Sequence, residues 1–291
     1  MLNAEVVSIP PIDNVKIIYG NNYILLDNGI YRELISGGIL PPDISAPHSV
    51  QSNAVFGQVE EILRNENFPV NSIVRQWNYI ENISHIDEGQ QNYQVFNDSR
   101  SRFYAKADWT LGYPAATGIG TQSGGVMVEV IAIVGKDLIN KALDNSFQIA
   151  AHKYSQGVLL GAVDPCTQEH TTPKFERGRI VGLADKQTIY ISGTAAIRGE
   201  TSLIADDVTE QTRITMENIE HLIAPVMLTG SRTDFEYKLL RIYVKNPWQM
   251  EEVRSYMKSN YPDVRKIYIC ADICREELLL EIEGIATISK N

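Results

Sequence analysis

Positive charge is in short supply: 26 lysines and arginines stand against 36 aspartates and glutamates, a formal net charge of −10. So acidic a chain excludes a nucleic-acid backbone as its main partner, which would call for a basic face. It does not exclude a small anion, because a few buried arginines can reverse the potential in one pocket. Cysteine is scarcer still. Cys166, Cys270 and Cys274 cannot all pair with one another, and that odd count in a 291-residue chain fits a reducing, cytoplasmic setting. Long apolar runs are missing too: none approaches the roughly 20 residues needed to cross a bilayer. Met1 to Asn14 carries Glu5 and Asp13 and no cationic stretch before an apolar one, so it does not read as a signal peptide. The expectation is a cytoplasmic protein with neither a membrane nor a nucleic acid as partner.

Most familiar catalytic devices are absent as well. GIGTQSGG contains neither a GK[ST] nor a G-x-G-x-x-G pattern, so no nucleotide cradle is read there. His48, His85, His152, His170 and His221 are scattered without metal-ligand spacing, and no C-x-x-C pair is present. No serine stands at the centre of a G-x-S-x-G elbow. The expected site uses no metal and no organic cofactor, which leaves carboxylate, arginine and tyrosine chemistry.

What is present is patterned. The length exceeds the usual size of one compact core, so two modules are expected, 1–145 and 146–291. Residues 37–54 concentrate Gly, Pro, Ser and Asn and read as an irregular connection, followed by a helix over 55–67. VNSIVRQWNYI reads as a strand. Tyr93, Phe96, Arg100 and Phe103 share one face of a helix over 91–104. PAATGIGTQSGG reads as a small-residue loop before the buried strand VMVEVIAIVG. The second half is clearer: strand IYISGTAAI, a helix over 206–224 with Asp206 and Asp207 as caps, then strand, helix, strand and the final strand LLLEIEGIATI. This order predicts an α+β fold in which mixed sheets carry helices on one face, the first half a degenerate copy of the second.

Glu281 and Glu283 are the sharpest anomaly. On a strand they face the same side, beside Leu279, Leu280, Ile282 and Ile285. A carboxyl walled by apolar groups has its pKa pushed up and can donate a proton near neutrality. Pattern alone favours a plainer reading, an edge strand whose solvent face carries two glutamates. Arg75, Arg100, Arg102, Arg177 and Arg198 lie near aromatics or small-residue loops, where guanidinium groups suit bidentate capture of carboxylates; singly, each reads as a solvated charge. Tyr93, Tyr154 and Tyr190 could donate hydroxyls to an anion, or simply fill core. Cys274 reads as a packing residue.

Two resemblances extend this reading. Residues 189–291 resemble the RidA (YjgF) family through ISGTA, EQTRITMENIEHLI, YVKN, NYP and LLLEIEGIA, and Glu281 matches the glutamate that lines that family's pocket. The family's arginine after its tyrosine–proline pair falls one position late here, at Arg265. From about Val70 onward the chain resembles the chorismatases, which join a degenerate RidA-like half to an intact one. RQWNYIENI, YQVFNDSRSRFY, YPAATGIG, ISGTAAIRG and ADICREELLLEIEG follow that family in order. The resemblance implies two RidA-like modules, chorismate as substrate and pyruvate as one product, without a cofactor. It implies that Glu281 protonates the enolpyruvyl methylene, and that Tyr93, Arg100, Tyr154 and Arg177 hold the two carboxylates beside the Ala195 loop. It also implies that Cys274 marks the branch yielding a hydroxybenzoate, 3-hydroxybenzoate above others. Phe147 replaces an arginine of the family, and Glu200 stands where a histidine is frequent. RidA-type enamine or imine hydrolysis and a catalytically altered binding protein remain open, as does assembly as a homotrimer or a monomer.

Overall fold

A computed structural model describes residues 15–87, 89–160, 163, 168–203, 207–227 and 233–290. The expectations for Met1 to Asn14, Cys166 and Asp206 fall outside that range. The fold is α+β. In the first half come β1 (Lys16–Gly20), β2 (Tyr23–Asp27), β3 (Tyr31–Ser36), α1 (His48–Asn65), β4 (Ile73–Glu81), α2 (Asn92–Tyr104), β5 (Ala115–Thr121) and β6 (Val126–Gly135). The second half adds β7 (Ile139–Leu143), β8 (Gly178–Gly182), β9 (Lys186–Thr194), α3 (Val208–Met227), β10 (Thr233–Val244), α4 (Met250–Asn260), β11 (Lys266–Cys270), β12 (Asp272–Ile273) and β13 (Leu280–Lys290). No helix among the described residues is long and apolar enough to cross a membrane.

The two halves are topological copies. One sheet runs β1-β2-β3-β6-β4-β5, the other β7-β8-β9-β13-β10-β11, with the short β12 of the second half closing the free edge of β5. The pairing senses match strand for strand: β3 and β4 flank β6 antiparallel while β5 runs parallel to β4, and β9, β13, β10 and β11 repeat the scheme. Even the irregularity recurs. A register shift lies between Ile73 and Arg75 on β4, opposite Ala132 and Ile131, and another between Tyr237 and Leu239 on β10, opposite Ala286 and Ile285. Aligned on these shifts, Glu129 occupies the position of Glu283, and Met127 that of Glu281.

Each sheet buries one face under two helices. Val126, Val128, Val130 and Ala132 of β6 meet Val55, Phe56, Val59 and Leu63 of α1 and Phe96 and Phe103 of α2. Leu280, Ile282, Ala286 and Ile288 of β13 meet Met216, Ile219, Leu222, Val253 and Met257 of α3 and α4. Strand alternation sends the intervening residues to the opposite face, and there the two sheets meet. Val74, Trp77, Ala115 and Ile131 from the first sheet pack with Val181 and Tyr190 from the second. Arg75 and Glu283, both about 1% exposed, form an ion pair across this seam.

Two local expectations are corrected. Residues 48–54 are helical, not irregular: α1 starts after Pro47, its buried Gln51 and Ser52 bonding to the carbonyls of Ile44, Ala46 and His48. Those polar residues gave the segment a loop's composition. The stretch read as a small-residue loop contains β5, held by parallel pairing with β4 from Arg75–Ala115 to Glu81–Thr121. Its small residues leave room for Tyr93, a ring carbon of which lies 3.0 Å from where a Cβ on Gly118 would stand. The helix cap, by contrast, is where it was expected, with Asp207 Oδ1 accepting from the amide of Thr209 at 2.7 Å.

Because breaking a buried pair leaves a charge stranded in a dry interior, Arg75→Met should lower the unfolding free energy in urea by about 3 kcal/mol, the low end for such a loss since Arg241 still faces Glu283. An unchanged unfolding midpoint would show that the seam does not depend on the pair.

Candidate active site

A cavity opens where the two modules meet. All seven residues that the family resemblance assigns to the site line it: Tyr93 and Arg100 from α2, Tyr154 and Arg177 from the segment before β8, Ala195 after β9, and Cys274 and Glu281 from the C-terminal stretch. Arg102 and Arg198 lie elsewhere. Arg102 bonds Ser99 and Asn53 on the outer side of α2, and Arg198 pairs with Glu217 and stacks over Phe147. Tyr190 belongs to the apolar seam. Arg265 does not line the cavity, and its carbonyl accepts from Leu240.

The two cavity arginines are buried and short of partners. Arg100 is 1% exposed and donates through Nη2 to Asn97 Oδ1 at 2.5 Å; its Nε has no acceptor. Arg177 is 3% exposed and donates through Nη2 to the Ile149 carbonyl at 2.7 Å and the Tyr154 hydroxyl at 2.6 Å; its Nε is likewise unsatisfied. The Phe175 ring lies between them, 6.0 Å from one guanidinium carbon and 5.6 Å from the other. Among the described residues neither has a carboxylate at salt-bridge distance. Two buried cations without counter-ions make this wall a receptor for an anion. Tyr154 is clamped on its other side by Arg275, whose guanidinium carbon stands 5.4 Å from the ring and whose Nη1 donates to the Glu200 carbonyl at 2.9 Å.

Of the two glutamates of β13, Glu281 lines the cavity and Glu283 does not, and their surroundings contrast. This strand is central, flanked by β9 and β10, so the edge-strand reading does not hold. Glu283 accepts from Arg75, from Thr117, from Trp77 Nε1 at 2.8 Å, from Arg241 Nη1 at 2.9 Å and from the Tyr243 hydroxyl at 3.2 Å. Burial opposes its ionisation, but Arg75, Arg241 and the bonds from Thr117 and Arg241 outweigh it and hold the carboxyl below the usual range. The Glu281 carboxyl makes no hydrogen bond to any described residue. Burial pushes its pKa up to about 8, and the anionic Glu283 adds to that, against Arg75 and Arg177. Beside it, burial raises the Tyr93 hydroxyl and pushes the Cys274 thiol up to about 12, so both stay protonated. The arrangement thus supplies a neutral carboxylic acid facing a cavity whose far wall is cationic.

ISGTA gives the acid its seat. The register of β9 against β13 shifts between Ile191 and Thr194, turning Ser192 and Gly193 toward β5. Ser192 Oγ accepts from the Ala116 amide at 2.9 Å, and the Gly193 amide donates to Thr117 Oγ1 at 3.0 Å. A Cβ at Gly193 would fall 1.9 Å from Glu281 Oε1, so only glycine leaves room for the carboxyl. The first module repeats this contact with a different side chain: a Cβ at Gly38 would meet the Met127 sulfur at 2.5 Å. Thr117, Gly193, Asn97 and Arg275 escaped the sequence reading. Of these, only Gly193 carried a signal, the break in the β9 pattern at SGT.

Fold and cavity together define a tandem α+β protein with an arginine-walled cavity in the seam between its modules. The family model described as chorismatase FkbO/Hyg5-like, N-terminal, matches residues 37–132, a start well before Val70. The chain is 26% identical to a 3-hydroxybenzoate synthase of Streptomyces hygroscopicus over 262 residues, 85% of this chain and 72% of that protein. It is 27% identical to a chorismatase of Streptomyces rapamycinicus over 242 residues, 80% and 68% of the two. A crystal structure of a chorismatase shares the fold at a TM-score of 0.74 and 23% identity, over 94% of this chain and 79% of that one. The YjgF gene product of E. coli aligns to 50% of this chain at a TM-score of 0.34. The chain is thus similar to chorismatases over most of its length.

A buried cation without a counter-ion costs folding energy, so Arg100→Met should leave the unfolding free energy in urea unchanged or raise it by about 1 kcal/mol. Arg75→Met has the opposite sign. Equal losses in the two variants would mean that Arg100 has a counter-ion after all.

Proposed function

We propose that the protein cleaves chorismate, releasing pyruvate, with Glu281 as general acid and without a metal or organic cofactor. The observation that carries this reading is the pairing of a neutral, unbonded Glu281 carboxyl with Arg100 and Arg177, which lack counter-ions in the same cavity. Chorismate is a dicarboxylate with a vinyl ether, and its cleavage begins with proton transfer to carbon. That step asks for a positioned acid rather than a nucleophile. Arg100 and Arg177, with Tyr93 and Tyr154, orient the two carboxylates and replace their lost water. Glu281 then delivers its proton to the methylene carbon, and the vinyl ether becomes an oxocarbenium ion. Addition of water or of the ring hydroxyl to that ion, followed by C–O cleavage, frees pyruvate and returns a proton to Glu281.

The name of one similar protein, a 3-hydroxybenzoate synthase, and Cys274 in the cavity wall support a hydroxybenzoate, specifically 3-hydroxybenzoate, as the second product. Chorismate holds the atoms of pyruvate plus a hydroxybenzoate, so that route consumes neither water nor oxidant; a dihydroxycyclohexadiene product consumes one water. The low-polarity cavity wall formed by Val158, Leu159, Leu160, Ala195 and Leu278 supports the route that keeps water away from the cation.

Incubation with chorismate, with pyruvate and aromatic products measured, tests the reading directly; no pyruvate, or activity only on enamines of amino acids, would end it. Glu281→Gln keeps shape but has no acid proton, and pyruvate release should fall by roughly a hundredfold or more while ligand binding persists. An acid must be protonated to act, so kcat/KM should be level at lower pH and decline as pH rises through about 8. Cys274→Ala should keep pyruvate release and shift the ring product away from hydroxybenzoate; an unchanged product ratio would confine that thiol to packing.

A further inference from the structure

We propose that Glu283 is a positioning residue acting through Glu281: a fixed negative charge, held by a cage of donors across the module seam, that keeps the neighbouring carboxyl in its proton-carrying form. This deepens the chorismate-cleavage reading and rests on Glu281 being the acid.

The geometry gives Glu283 a task that holding the seam alone does not require. An ion pair with Arg75 would suffice to join the modules, yet Glu283 also accepts from Trp77, Thr117, Arg241 and Tyr243. A carboxylate so fully donated cannot take up a proton without losing bonds, so it stays charged through the whole neutral range. It stands two residues from Glu281 on the same face of β13, and alternation fixes that proximity. The same cage sets where Glu281 sits. Thr117 Oγ1 donates to Glu283 and accepts from Arg75 at 2.6 Å and from the Gly193 amide at 3.0 Å, and Gly193 is the surface against which the Glu281 carboxyl lies. One hydroxyl therefore ties the charged carboxylate to the seat of the neutral one.

The groups facing this pair can be named from every side. Glu281 is opposed by Arg177 across the cavity and by Arg75 from β4, with the neutral Tyr93 of α2 and Cys274 beside it. Around Glu283 stand Arg75, Arg241 of β10, the hydroxyls of Tyr79 and Tyr243, and the half-buried Glu129, which burial also pushes toward its neutral form. Without the Glu283 charge, Arg75 and Arg177 would draw Glu281 toward ionisation with nothing on its own strand to resist, whereas Arg241 bears on Glu283 itself. The first module makes the comparison internally. Glu129 occupies the position of Glu283, but its neighbour is Met127, and no acid is left for it to act on.

The test reads the protonation of Glu281 in two substitutions of opposite sign. Glu283→Gln removes the anion and should move the basic limb of the kcat/KM profile down by about one to two pH units, the size expected for a unit charge several ångströms away in a partly screened interior. Arg241→Gln removes a cation from the same cage and should move the limb up. The proposal is overturned if both variants keep the wild-type limb, or if both shift it in the same direction. If Glu283→Gln fails to fold, Arg241→Gln decides alone, because an unmoved or lowered limb there contradicts the proposal. An activity-free readout separates this inference from the choice of substrate. The infrared band of the protonated Glu281 carboxyl, identified by its loss in Glu281→Gln, should titrate with the same opposite shifts. If the band moves as expected and pyruvate is never released, the substrate reading fails and the role of Glu283 stands.

Discussion

The Arg75–Glu283 pair is the constraint on which everything else rests. Burying both charges is worthwhile because Glu283 gathers five donors at once, Arg75 among them, and those donors come from both modules. The pair sits in the face of each sheet that its own helices leave uncovered. It therefore fixes the rotation of one sheet against the other, which apolar contact among Val74, Trp77, Ile131, Val181 and Tyr190 would leave free to slide. Once that rotation is set, β5 lies along the end of β9, Ser192 and Gly193 reach Ala116 and Thr117, and the cavity closes around Glu281.

Two carboxyls on one strand face thus take opposite states, and the reason is local. Glu283 has five donors and Glu281 has none among the described residues. Apolar burial alone would raise both; donors decide which one ionises. The arginines follow a similar logic. Arg75 is matched by a carboxylate and holds the fold together, whereas Arg100 and Arg177 are left unmatched and hold the cavity ready. Stability is conceded at Arg100 and Arg177 and recovered at Arg75.

Much of the architecture was legible, because alternation and helical spacing are local. LLLEIEGIATI declared a strand with two glutamates on one side. Whether that side met solvent or protein depended on strand order, and hence on pairing with β9 and β10, which no window of sequence contains. Arg100 and Arg102 show the same limit at closer range. They are two residues apart in DSRSRFY, but the helix turns about 200° between them, sending one into the cavity and the other outward. Thr117 was invisible. A threonine among glycines and alanines looks like any small residue until Arg75, Gly193 and Glu283 converge on its hydroxyl. Alternation and helical spacing marked Glu281, Tyr93 and Arg100 as candidates, but gathering the seven cavity residues into one site came from family resemblance, since they lie on separate stretches of chain.

The duplication also orders events in time. The first sheet and its helices can assemble while the second half is still being synthesised, since N-terminal modules generally fold first. At that stage Arg100 and Thr117 are already in place, but Arg75 lacks a counter-ion and the edge of β5 is bare, because its cover, β12, lies more than 150 residues further on. The partner of Arg75 is 208 residues away. The nascent half-molecule therefore displays Trp77, an unmatched buried-type cation and an open strand edge, all features that invite association with the wrong surface. Only β12 and the final strand, which carries Glu281 and Glu283 together, end that exposure. The step that makes the molecule safe from misassembly is the same step that makes it chemically competent.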